Sequence, residues 1–133
     1  MPMLQTRNLK KAFGELVVLD GVSFSIERGE TVAVIGPSGS GKSTMLRCLI
    51  NLEHADGGDI LIEDEPLMQD GVYVSEAKAR TVCAKMGMVF QSFNLFPHKS
   101  VLENLIAAPI AVRGLKRSEA VERARTHLSD VGL

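Results

Sequence analysis

The sequence predicts a mixed α/β fold, and three observations carry that expectation. In "LVVLDGVSFSI", Val22, Phe24 and Ile26 alternate with Ser23 and Ser25, the period of a half-buried strand. The run "TVAVI" at 31–35 is continuous and largely β-branched, the pattern of a central strand covered on both faces. It leads into the glycine-rich "GPSGSGKST", after which Met45, Leu46, Leu49 and Ile50 recur at helical spacing.

Along the chain, residues 3–9 and 16–26 read as strands, "ERGE" as a turn, and "TVAVI" as a buried strand. A helix follows the glycine loop. "ADGG" punctuates, "DILIED" reads as a strand, residues 75–85 as a polar helix and "MGMVF" as a second buried strand. Beyond ~95 residues the pattern turns wholly helical. Ser100 with Glu103 three residues later makes a capping box. Pro109 should kink or end that helix. Ser118 is placed to cap a last helix with a stripe of Val121, Ala124, Leu128 and Val131, stopped at Gly132.

Composition narrows the function classes. The chain has 133 residues and is 45% hydrophobic, enough for a core, with no Trp and one Tyr. The formal net charge of −1 supplies no strong field for nucleic acid or an acidic membrane, so neither is expected as a partner. The pairs Lys10–Lys11 and Lys116–Arg117 read as solvated surface. Cys48 and Cys83 show no metal or redox spacing; Cys48 falls on an apolar helical pattern and reads as a buried thiol in a reduced, cytosolic protein. The N-terminus lacks the apolar stretch of a signal peptide, and the longest apolar run, "LIAAPIAV", is too short to span a bilayer. Any membrane link is expected to run through a partner.

The chemistry sits at Gly36-x4-Gly41-Lys42-Ser43, followed by Thr44. Gly36, Gly39 and Gly41 permit unusual dihedrals and let backbone approach a ligand closely. Successive N–H groups, with those of Ser38 and Ser40 among them, can turn inward as a nest for a phosphate, and the following helix aims its positive end at the same anion. Lys42 can bridge β- and γ-phosphates, the Ser43 hydroxyl can ligate Mg²⁺, and Thr44 can reach the α-phosphate. A strand pattern before the loop and a helix after it are the context this motif requires. Phe13 could stack on a purine or be a turn phenylalanine. Gln91, directly after "MGMVF", could touch Mg²⁺ or orient a water, or be a surface glutamine. Phe93, Leu95 and Phe96 either mark a docking site or fold back on the core; His98 has no ligand partner at metal spacing and reads as surface.

Four segments in order, "KAFGELVVLDGVSFSIERGETVAVIGPSGSGKST", "GGDILIEDEPL", "MGMVFQSFNLFPHKSVLENL" and the closing helix to "LSDVGL", resemble the ATP-binding subunit of an ABC transporter. The "VFQSFNLFPH" stretch and "VRG" are most similar to bacterial polar-amino-acid importers of the glutamine/histidine type. The resemblance implies a P-loop NTPase fold: a RecA-like core with an antiparallel β subdomain over 1–95, then the start of a helical subdomain over 96–133. It implies ATP and Mg²⁺ as cofactors, with Phe13 stacked on adenine, Val18 near the ribose, Gly36 to Thr44 as the Walker A loop, Lys42 and Gln91 as catalytic residues, and Ser43 and Gln91 at the metal. The region from Phe93 to His98 would dock a membrane permease, and a second copy of the subunit would complete a homodimer, the whole lying on the cytoplasmic face of the membrane. The family's signature motif, Walker B strand, catalytic glutamate and switch histidine do not occur within these residues, so residues 1–133 by themselves are expected to hold ATP without turning it over. The alternatives are a short non-catalytic protein that binds nucleotide or docks a permease, and an ABC protein of repair or translation, which the aromatic stretch after Gln91 argues against.

Overall fold

Strands β1 (Leu4–Phe13) and β2 (Leu16–Ile26) pair antiparallel from Leu4↔Ile26 to Phe13↔Leu16, closing on a turn whose Gly14 has φ +60°. The computed structural model in which they lie describes residues 1–133, and the chain divides into two units, Met1–Met88 and Val89–Leu133.

In the first unit helix α1 (Lys42–Leu49) follows the glycine loop, then come β3 (Gly57–Ile62), β4 (Glu65–Gln69), β5 (Val72–Tyr73) and helix α2 (Glu76–Cys83). The strands make one antiparallel sheet in the order β2-β1-β3-β4-β5. Its core gathers Leu9, Leu19, Ile60, Ile62, Leu67 and Met68 from the sheet with Met45, Cys48 and Leu49 from α1 and Val82 from α2. Burying each large side chain of this set stabilises the fold by about 1.5–3 kcal/mol. The isolated eight-residue α1 could not hold itself helical, so packing does so.

β1 is the central link of this sheet and carries an irregularity between Thr6 and Leu9, where Asn8 takes φ +49°. The buried Thr6 hydroxyl spans the gap, donating to Val22 O at 3.3 Å and accepting from Phe24 N at 3.2 Å. Gly58, φ +94°, lies against the same bulge, and a Cβ there would run into the backbone of Arg7 and Asn8.

Two expected strands do not form. Residues 31–37 make no ladder, and Val32, Val34 and Ile35 are exposed, Ile35 to 92%. Residues 86–90 likewise pair with nothing, and Val89 is 97% exposed. A strand is held by its neighbours' hydrogen bonds and packing, and within these residues no edge meets either segment, so β propensity alone leaves them extended and unpaired. Conversely β4 and β5 appear where no strand is expected. The β3–β4 turn puts Glu63 and Asp64 at φ 49° and 60°, and Asp70–Gly71 closes β4 onto β5 with φ 49° and 77°. Asp-Gly is the strongest two-residue hairpin signal a sequence offers; Glu at Glu63 is no such signal.

α2 is capped by Ser75, whose Oγ accepts from Lys78 N. It docks on the β3–β4 turn through ion pairs: Lys78 with Glu65, and Lys85, just beyond the helix, with Glu65 at 2.7 Å and Glu63 at 3.0 Å.

The second unit holds α3 (Val101–Arg113) and α4 (Arg117–Asp130), packed through Ile106, Ala120 and Ala124. The Ser100–Glu103 capping box forms in both directions. Pro109 neither ends α3 nor keeps it from Gly114, which takes φ +64° and caps it. Ser118 does not cap α4. The N-cap is Lys116 and no side chain serves it, so Ser118 falls inside the first turn. The α4 stripe is narrower than its sequence suggests, for Val131 is 72% exposed.

Two outcomes follow for stability. Gly58→Ala should cost about 2 kcal/mol or more in urea unfolding, from positive φ and the clash with the β1 bulge. Lys78 first, then Lys85, hold the Glu65 carboxyl down at about 2 from 4.5. A depressed folded-state value means these pairs stabilise the chain above the unfolded value and lose that contribution as pH falls from about 4.5 towards 2. Glu65→Gln should therefore lower the urea midpoint at neutral pH and match the parent near pH 2.

Candidate functional site

The glycine loop turns tightly: Ser40 N donates to Pro37 O at 3.2 Å, Ser38 and Gly39 form the turn, and Gly39 takes φ +80°. Lys42 folds back over it, its Nζ donating to Gly36 O at 2.6 Å, Pro37 O at 2.8 Å and Ser40 Oγ at 3.3 Å. Gly41 is the N-cap of α1 with φ +93°, and no side chain caps the helix. The first intrahelical bond is Met45 N to Gly41 O at 2.9 Å, which leaves the N–H groups of Lys42, Ser43 and Thr44 without helical partners. The Ser43 hydroxyl is exposed and Thr44 half-buried.

Gly41 is required by space as well as by dihedral, and Gly36 is crowded by a neighbouring side chain. A Cβ on Gly36 would come within 2.7 Å of Ser40 Oγ. A Cβ on Gly41 would come within 2.6 Å of Val18 Cγ1 and 2.9 Å of Val18 O. Val18 thus packs directly against the loop at the point where α1 begins, so β2 sets the position of the helix terminus.

An anion fits this arrangement. N–H groups without helical partners lie at an uncapped helix start, and a cation lies over the loop. No group of three or more His, Cys, Asp or Glu gathers anywhere in the structure. A hard divalent cation such as Mg²⁺ would therefore be held by one hydroxyl, that of Ser43, together with the anion's own oxygens and water.

Phe13 ends β1 and is 47% exposed. Lys11 Nζ lies over its ring, 4.7 Å from the centroid. Lys11 is not the solvated residue its sequence suggests: it is 9% exposed, and its ammonium reaches Glu53 at 3.1 Å and Asp56 at 3.8 Å. Asp56 also accepts from Ala12 N at 2.6 Å and donates its own N–H to Lys10 O at 2.7 Å. The hydrogen bond from Lys11 pulls the Glu53 carboxyl below the ordinary carboxylate range. Sequence reasoning missed Lys11, Glu53 and Asp56. A lysine two residues past the buried Leu9 was the available signal; its two acidic partners, more than 40 positions away, had none. Near the C-terminal end of α1, the thiol of Cys48 is fully buried and burial pushes it up to about 11, which makes it inert.

In the second unit Gln91 is exposed on irregular backbone. Phe93, Leu95 and Phe96 are exposed too, so this cluster does not fold back into a core. Asn104 organises the loop. Its Oδ1 accepts from Phe96 N at 2.8 Å, and its Nδ2 donates to the carbonyls of Phe96, Lys99 and Ser100. A cavity of about 300 Å³ opens there between Leu95, Phe96 and Pro97 on the loop and Val101 and Leu105 on α3. His98 stands edge-on to Phe96 with ring centroids 5.9 Å apart. No helix is long and apolar enough to cross a membrane.

Residues 19–133 match the family described as ABC transporter. The chain is 44% identical over 133 residues to the glutamine transport ATP-binding protein GlnQ of Escherichia coli (strain K12), covering 98% of the chain and 52% of that protein. It is 47% identical over 133 residues to the arginine transport ATP-binding protein ArtM of Bacillus subtilis (strain 168), with the same coverage. The L-cystine transport system ATP-binding protein TcyN of Escherichia coli (strain K12) is 43% identical over 135 residues, covering all of the chain and 54% of that protein. The chain thus spans about half the length of the curated relatives it matches. Among solved structures, cbiO1 of Clostridium perfringens, described as part of the ABC transporter complex cbiONQ, superposes with a TM-score of 0.79 over 99% of the chain and 51% of its own length. At 24% identity that likeness speaks for the fold alone. With 19–133 matched, the chain belongs to the ABC transporter family.

Proposed function

We propose that this chain is the nucleotide-holding part of an ABC importer ATPase, which couples ATP binding and hydrolysis to uptake of a small polar solute, an amino acid. The observation that carries the reading is the loop of Gly36 to Thr44: unpaired N–H groups at the start of α1, with Lys42 Nζ resting on neutral loop acceptors. The solute class is supported by relatives named for glutamine, arginine and cystine transport.

In this reading the N–H groups of Gly39 and of Gly41 to Thr44 cradle the β-phosphate. Lys42 exchanges the carbonyls of Gly36 and Pro37 for β- and γ-phosphate oxygens, a move that replaces neutral acceptors with charged ones and so strengthens its hydrogen bonds. The Ser43 hydroxyl turns to Mg²⁺ and Thr44 to the α-phosphate. Mg²⁺ supplies charge neutralisation across the phosphates when bound. Phe13 offers its open face to the adenine, and Val18 borders the ribose while holding Gly41 in place. Gln91, in the second unit, takes its role at the metal and the attacking water from the family resemblance alone. The exposed residues from Phe93 to His98, with the cavity beside α3, dock the permease, which brings the subunit to the cytoplasmic face of the membrane. A second copy of the subunit completes the working ATPase. Residues 1–95 serve as core and β subdomain, and 96–133 as the start of the helical subdomain.

Two titrations of the intact protein with MgATP test this. Lys42→Ala should weaken binding at least tenfold, the loss of charge-assisted hydrogen bonds worth about 1.5–3 kcal/mol. Unchanged affinity would remove the loop from the nucleotide site. Phe13→Ala should weaken ATP about tenfold, as base–aromatic stacking contributes about 1–3 kcal/mol, while inorganic tripolyphosphate binds as before. Equal losses for both ligands would return Phe13 to a purely structural role.

A further inference from the structure

We propose that Lys11 is a positioning residue for nucleotide binding: clamped by Glu53 and Asp56, its ammonium covers one face of Phe13 and so holds the ring with the other face open to the base. The inference rests on Phe13 being the base-stacking ring.

Phe13 has no hydroxyl with which to anchor itself, and it stands nearly half exposed at the end of β1. An exposed phenylalanine at a strand end would normally sample several rotamers, each wasted for stacking. Lys11 removes that freedom. A lysine this deeply covered must be paired, and its partners are Glu53 at 3.1 Å, Asp56 at 3.8 Å and the Phe13 ring, whose centroid lies 4.7 Å away. A cation over the ring is attracted by the negative face of its quadrupole. By drawing π density to that side it also leaves the open face better suited to an electron-rich purine.

The clamp reaches further than the ring. Leu52 N and Glu53 N both donate to Arg47 O, at 2.9 and 3.2 Å, so Glu53 is tied to the C-terminal end of α1. Asp56 is sewn to β1 through Ala12 N and Lys10 O. At the other end of α1, Gly41 abuts Val18 of β2. The helix whose N-terminus meets the phosphates is thus fastened at both ends to the hairpin that carries the ring. Lys11 is the fastening that also touches the Phe13 ring, so it couples the position of the ring to that of α1.

The test compares ATP with inorganic tripolyphosphate, which lacks the base, by isothermal titration of the full protein. Lys11→Met should weaken ATP about fivefold and leave tripolyphosphate within twofold of the parent, with Lys11→Arg retaining most of the ATP affinity. In a Phe13→Ala background, Lys11→Met should cost nothing further, since Lys11 acts through the ring. If Lys11→Met does not fold, as judged by its melting transition, Glu53→Gln takes its place with a loss in the same direction. Equal losses for both ligands, or losses additive with Phe13→Ala, would overturn the proposal. If Phe13→Ala weakens ATP and Lys11→Met does not, only the role of Lys11 falls. If Phe13→Ala has no effect, the stacking reading falls and the role of Lys11 with it.

Discussion

The contact of Val18 with Gly41 is the constraint on which the site depends. A residue with any side chain at Gly41 would push β2 away from α1, because Val18 Cγ1 and Val18 O both occupy the space a Cβ would need. The same residue must sit at positive φ for the chain to leave the loop and enter the helix. One glycine therefore joins the sheet to the helix terminus. Beneath that joint, Met45, Cys48 and Leu49 bury the inner face of α1 against Leu9, Leu19 and Ile60. The core holds the helix rigid, and the loop can then present N–H groups without a side-chain cap to satisfy them.

That openness is a cost the fold accepts elsewhere. Three backbone N–H groups at a helix start without helical partners would be unfavourable if buried, but the loop is exposed to solvent. Lys42 lies across the loop carbonyls meanwhile, so its charge is hydrogen-bonded rather than free. The two halves of the site differ in what holds them. The proposed phosphate half is positioned by backbone dihedrals and a close van der Waals contact, and the proposed base half by a buried charge and its two acidic partners.

The unpaired runs at 31–35 and 86–90 carry a separate lesson. Their sequences are those of strands enclosed on both faces, yet they join no ladder and most of their residues are exposed. A propensity for β structure is a propensity to fit between neighbours, and it has no effect where neighbours are missing.

Local chemistry was legible in the sequence wherever one segment sufficed to decide it. The alternation of Val22, Phe24 and Ile26 is enough for β2, the apolar spacing from Met45 to Leu49 for α1, and Ser100 with Glu103 for the start of α3. The order of motifs was enough for the family. Asp70–Gly71 is a hairpin signal as well, but the strands it joins are short and β4 carries Pro66, which weakens the strand pattern around it. Other features depended on residues that meet only after folding. Lys11 looks like surface until Glu53 and Asp56 arrive from beyond α1, Val18 looks ordinary until Gly41 closes on it, and 31–35 looks buried until no strand comes alongside. Periodicity and capping act within a few residues and so can be read along the chain. Ion pairing, close packing and sheet ladders act across space, and for them the tertiary structure alone decides.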